Sequence, residues 1–318
     1  MALLRRFVVT LALALGAALV PGPAQGQHVV FVTGDEEYRS EESMPMLARM
    51  LEEHHGMTAT VLYAVGADGY VDPTVTDNIP GLSALESADL MVVFTRFRAL
   101  PDSQLAHIVR YAESGRPMVG FRTATHAFRY PDESPHAARM NDEWPRRVFG
   151  QRWIVHHGHF DDGEARLTAV RPLSWRTAHP VLRGVEPFEA FSWLYHVDGG
   201  GESLEGDSRI LLVGEALRST HAESGDLERY PLVNPVAWTR SYTGEGGVPA
   251  RVFFTTLGHP YDFHEPSMRR LAVNGILWAL GLEERIPAGG AAADPVTPYE
   301  PNNSGFGRVF KEGLLPDP

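Results

Sequence analysis

Cysteine is absent from this chain. Its absence excludes disulfide bonds, thiolate nucleophiles and cysteine-ligated zinc, so packing alone holds the fold. Positive charge is scarce: Lys and Arg total 28 against 40 Asp and Glu, a formal net charge of −12. Such a surface repels phosphate backbones and anionic lipid, so no nucleic-acid partner is expected. A membrane-length apolar run is also missing at the N-terminus. Phe7–Val20 is apolar but too short to span, and it follows the basic pair Arg5 and Arg6. PGPAQG comes next, with Ala24 and Gly26 at the small-residue positions of a cleavage site. The pattern predicts a secretory signal over residues 1–26, a mature start at Gln27, and an exported protein, periplasmic or extracellular, with no membrane insertion after cleavage.

What is present is an ordinary globular core, 43% hydrophobic, and 14 histidines. One domain is expected over residues 27–284, followed by a Pro/Gly-rich tail over 285–318 that is either disordered or laid on the surface through Tyr299, Phe306 and Phe310. Apolar runs alternate with helical periods. HVVFVT, TATVLY, LMVVF and PMVGF read as strands. Ser43–His55, capped by Ser43 with Pro45 in its first turn, and Asp102–Ser114 read as helices. RILLVG, NPVAWT and RVFFTT are later strands, and Pro266–Leu280 is a closing helix. Nearly continuous apolar strands separated by helices predict a doubly wound, mainly parallel α/β sheet with strand-rich additions in the second half. Polar clusters follow four of the strands: GDEEYRS, TRFR, RTATH and GHPYDFH. In an open parallel sheet the strand carboxyl ends form one rim where ligands bind, so these clusters are expected to converge on one pocket.

Three segments carry a family resemblance: ARVFFTTLGH followed by NGILWALG, VGFRTATHAF, and HPVLRGVEPF. In their order along the chain and their spacing, these segments make the chain resemble the ThuA-like family, named for trehalose utilisation, over about Val29 to Leu282. The resemblance implies a class I glutamine amidotransferase-like, flavodoxin-like fold and carbohydrate utilisation, with trehalose, a related disaccharide or a keto-sugar as the small-molecule partner. Two departures stand out. Arg122 occupies the turn where amidotransferases carry their nucleophilic cysteine, which excludes glutamine hydrolysis by a thiolate. Ser192 and Trp193 stand where many members carry an acidic pair.

The candidate chemistry is His and carboxylate acid–base catalysis. His126 ends the RTATH turn, and His259 begins the loop after the last strand; these two and Glu37 are the catalytic candidates. Glu36, Tyr38, Arg39, Arg122, Thr123, Tyr195 and Tyr261 are candidate substrate binders. The acids of GDEEYRS also suit the first turn of a helix, and the threonines also suit a cap. In the run HHGH, alternation along an extended chain puts His157 and His159 on one face, as pocket residues or, with a distant ligand, as a divalent-metal pair. No cofactor is expected, and a metal at His157 and His159 stays an alternative. Three functions follow: a sugar hydrolase, isomerase or lyase; a non-catalytic sugar-binding module; and a metal-dependent hydrolase using HHGH. The oligomeric state is open.

Overall fold

A computed structural model describes residues 26–160, 162, 164–173 and 178–316. The expected signal segment lies outside these residues, apart from Gly26. The first half runs β1 (His28–Gly34), α1 (Ser40–His55), β2 (Thr58–Leu62), β3 (Leu90–Thr95), α2 (Asp102–Glu113) and β4 (Met118–Phe121). The second half runs α3 (Trp144–Phe149), β5 (Thr168–Pro172), β6 (Phe188–Ala190), β7 (Arg209–Ala216), α4 (Thr220–Ser224), β8 (Val233–Thr243), β9 (Pro249–Thr255) and α5 (Pro266–Ala279).

All nine strands join one sheet in the order β2-β1-β3-β4-β9-β8-β7-β5-β6. The first five of that order pair in parallel, as the apolar runs predict. Beyond β9 the strands of the second half extend the same sheet, and from β9 to β6 every pairing is antiparallel. The period-two alternation of each strand splits the core between two faces. Val29, Phe31, Val92 and Phe253 face one side, which α1 and α5 cover with Leu47, Leu51, Leu271 and Ile276. Val30, Val32, Met91 and Phe254 face the other, covered by α2 and α3 with Leu105, Ile108 and Phe149. This is double winding. Gly275 lets α5 lie close on the sheet, since a Cβ there would sit 2.3 Å from the Phe253 ring.

Helix α1 starts at Ser40, not at Ser43, and Pro45 lies inside it. The earlier start follows from the turn before it. Asp35 accepts the N–H groups of Glu37 and Tyr38, and Ser40 Oγ accepts that of Gly34, so the chain has turned by residue 40. Glu41 and Glu42 occupy the first turn of α1, leaving Glu36 and Glu37 in the turn outside it.

The tail packs on the domain. Ala291 N–H donates to Asn274 Oδ1 (3.0 Å), Arg269 donates to the Ala293 carbonyl (2.8 Å), and Val71 N–H donates to the Leu314 carbonyl (2.8 Å). Lys311 pairs with Glu42 at 2.5 Å, and Phe310 is buried. The Tyr299 hydroxyl donates to the Pro260 carbonyl, whereas Phe306 stays half exposed.

Candidate functional site at the strand ends

Because β1, β3, β4 and β9 are parallel, their carboxyl ends lie on one rim of the sheet. Asp35, Arg96, Arg122 and Thr256 each follow the last residue of one strand. The four polar clusters therefore meet there.

Asp35 organises the floor. It is fully buried; Oδ1 accepts from Glu37 N–H (2.8 Å) and Tyr38 N–H (3.0 Å), and Oδ2 accepts from the Thr123 hydroxyl. One carboxylate thus ties the β1 turn to the β4 turn. Sequence reasoning passed over Asp35. Its signal was a carboxylate placed directly after a strand-ending glycine, the position of an Asx turn.

Beside it, Glu36 pairs with both Arg96 and Arg98, the latter at 3.0 Å. Glu37 Oε2 lies 3.1 Å from Arg96 Nε. Burial nevertheless dominates at Glu37 and pushes its carboxyl up to about 7, against the pull of Arg96. Glu37 lines a cavity of about 290 Å³ with Phe160, Trp193 and the tail segment Asn303, Ser304, Gly305 and Phe306. Hollows of about 330 and 550 Å³ elsewhere lie along α1 and β2, away from the strand-end cluster.

Arg122 holds the turn after β4 in the left-handed region, with φ of 40°. A non-glycine residue pays for that conformation, and this one is held there by its side chain. The guanidinium is buried and donates to the Trp193 carbonyl (3.3 Å), the Thr256 carbonyl (2.9 Å) and the Tyr38 hydroxyl (2.8 Å). It lies 4.0 Å from the centre of the Tyr38 ring and 4.6 Å from that of Tyr195. Arg122, Thr123, Tyr38 and Tyr195 therefore form a buried cluster at the strand ends, each engaged with a protein neighbour, and none of them lines the cavity. Arg39 is also buried and reaches the tail, donating to the carbonyls of Asn303 and Gly305.

The histidines separate into distinct environments. His126 is half buried among Phe97, Trp153 and Tyr195, and its enclosed Nδ1 has no hydrogen-bond partner. Burial, then Arg96 and Arg122, holds its pKa well below the usual histidine range. His259 is fully buried and stacked on Phe191; its Nδ1 accepts Tyr261 N–H at 3.1 Å. Burial and then Arg122 keep it neutral too. Tyr261 packs edge-on against Phe191 and His259. Asp262 accepts the N–H groups of Gly258 and His259 and the Ser192 hydroxyl, so Ser192 braces this loop.

His157 and His159 do not share a face. Gly158 between them has φ of 87°, which breaks the extended run on which the alternation argument rests. His157 turns to Ser219 Oγ (2.7 Å) and packs edge-on against His221, while His159 faces the exposed Glu223 at 3.0 Å. Among the described residues no group of three or more His, Asp or Glu side chains is placed to hold a metal ion. The member of the run beside the cavity is His156, which sequence reasoning set aside. Its ring lies 5.6 Å from Trp193 and 5.1 Å from Phe160. Its Nδ1–H donates to the His157 carbonyl, which leaves Nε2 as the basic atom, and burial lowers its pKa to about 4.

No curated protein matches the chain. Among solved structures, a ThuA-like protein from Parabacteroides merdae is 16% identical, covers 91% of this chain and 100% of its own, and superposes with a TM-score of 0.50. A ThuA-like protein from Bacteroides uniformis is 14% identical, with 82% and 95% covered and a TM-score of 0.49. At such identity the first likeness is one of fold. The model of the ThuA family, described as trehalose utilisation, matches residues 28–279, and the chain belongs to that family.

Proposed function

We propose that this protein acts on a sugar or keto-sugar by proton transfer at the strand-end rim, with Glu37 as acid and His156 as base. One observation carries the reading: Glu37 lines the cavity, and the His156 ring packs on Phe160 and Trp193, which line it too. The usual order of the two groups is inverted: the carboxyl is raised to about 7 and the imidazole lowered to about 4. Between those values Glu37 holds a proton to give, and His156 has a free lone pair to receive one. Groups whose environments push their pKa values apart in this sense are suited to acid–base work. Hydrolysis, isomerisation and elimination of a sugar each need such a pair.

His126, neutral and next to Tyr195, is the alternative base. His259 has Nδ1 engaged and no exposed surface, so its part is to position the loop that carries Tyr261. Glu36 pairs with Arg96, and the Arg96 charge in turn tempers Glu37. The substrate class follows the family's description, trehalose utilisation. Export with a mature start at Gln27 belongs to the same proposal, since an outer-compartment sugar would be the substrate.

Turnover on a panel of disaccharides and keto-sugars tests the chemistry. Glu37→Gln should lower it by about 100-fold or more. Parent-like turnover in that variant would remove Glu37 from the mechanism. The second reading is a sugar-binding module. Arg122 favours it, because it fills the strained turn with a side chain whose bonds all end on the protein itself. Tight sugar binding with no turnover across the panel would establish that reading.

A further inference from the structure

The tail carries Ser304-Gly305-Phe306-Gly307 into the rim. Gly305 and Gly307 have φ of 147° and 79°, so the chain turns out and back around Phe306. The segment is fixed from below. Gly305 N–H donates to the Glu37 carbonyl (2.9 Å), and the buried Arg39 Nε donates to the Asn303 carbonyl (3.2 Å). Phe306 is nonetheless 51% exposed, and Phe160, on the same cavity, is 72% exposed. Arg96, the partner of Glu37, lies 5.1 Å from the Phe306 ring centre. Two large apolar rings are thus held open to solvent beside Glu37 on one cavity. Two exposed rings on one cavity make an apolar patch that suits a ligand with an apolar face.

We infer that Phe306, supplied by the tail, and Phe160 are sugar-stacking residues that bind one pyranose ring over Trp193 with its hydroxyl edge toward Glu37. The inference rests on the proposed function and narrows it. The C–H face of a pyranose is apolar and suits an aromatic ring, while its hydroxyls suit a carboxyl. The cavity volume of about 290 Å³ sits at the small end of ligand pockets. It accepts one ring, and the second ring of a disaccharide stays in solvent.

Calorimetric titration of the full chain with trehalose and with methyl α-glucoside tests this. Phe306→Ala and Phe160→Ala should each weaken binding about 10-fold, whereas Phe306→Trp should retain it. The melting temperature should move little in any of the three variants, because half or more of each ring is exposed. The two sugars should bind the parent within about threefold of each other, since one ring makes the contacts. Parent-like affinity in both alanine variants would overturn the stacking role while leaving the Glu37 chemistry standing. Much tighter binding of trehalose would overturn the single-ring assignment. No binding of either sugar to the folded parent would overturn this inference and the sugar reading together.

Discussion

At the scale of single residues, the site is defined by what burial does to protons. Activity should follow a bell with limbs near pH 4 and pH 7, from His156 and Glu37 respectively. Arg96 lowers the Glu37 value, so Arg96→Gln should move the alkaline limb upward; a limb that stays in place would show that another group sets it. Stability carries the same signature. Folded Glu37 binds its proton more tightly than the ordinary carboxyl, about 7 against 4.5. The folded state then holds more protons than the unfolded one, and stability is lost as pH rises through that window. Glu41, raised to about 8 by burial, adds to the slope. Chemical denaturation at pH 5 and pH 8 should therefore show a smaller difference in Glu37→Gln than in the parent. Much of this was hidden in the sequence. Glu37 was visible as an acid after a strand, but nothing local distinguishes Asp35, whose work is to hold Thr123 far along the chain. His156 was hidden by Gly158, whose backbone angle reverses the expected facing.

At the scale of elements, the strands were legible because a buried parallel strand is an uninterrupted apolar run. Helix α1 was legible in its period and not in its start, because the turn that launches it is built by a side chain outside it. The turn after β4 is the element most exposed to mutation. Arg122→Ala removes the guanidinium from two buried carbonyls and the Tyr38 hydroxyl. The expected loss is about 3 kcal/mol or more by denaturant melts, since buried acceptors are left unpaired. Near-parent stability would mean that water replaces the guanidinium. Gly158→Ala should also destabilise, by about 1 kcal/mol or more. It forces alanine to φ of 87° and brings a Cβ to 2.7 Å from the Trp193 ring. Trp193 fluorescence should shift in that variant, and an unshifted spectrum would show that the loop relaxes elsewhere.

At the scale of the whole molecule, the convergence of four clusters was readable once a parallel core was assumed. The position of β9 was not. It comes last in sequence yet sits beside β4, in the middle of the sheet. Only that placement brings the His259 loop to the same rim as Arg122, and pairing between distant segments leaves no local mark. The expected signal segment precedes β1 directly, and the Gln27 carbonyl already accepts Thr58 N–H. N-terminal sequencing of exported protein should read Gln27 first; a protein retained with Met1 would end the export proposal.

The pairing of Lys311 with Glu42 has a practical corollary. Lys311 is the single lysine in the sequence. Apart from the chain's own amino terminus, an amine-directed reagent therefore has one address, and it lies on the tail. Acylation there erases the charge that Glu42 holds. A fluorophore attached by that route would sit on the tail, and the 42% exposed side chain can be reached while the tail is docked.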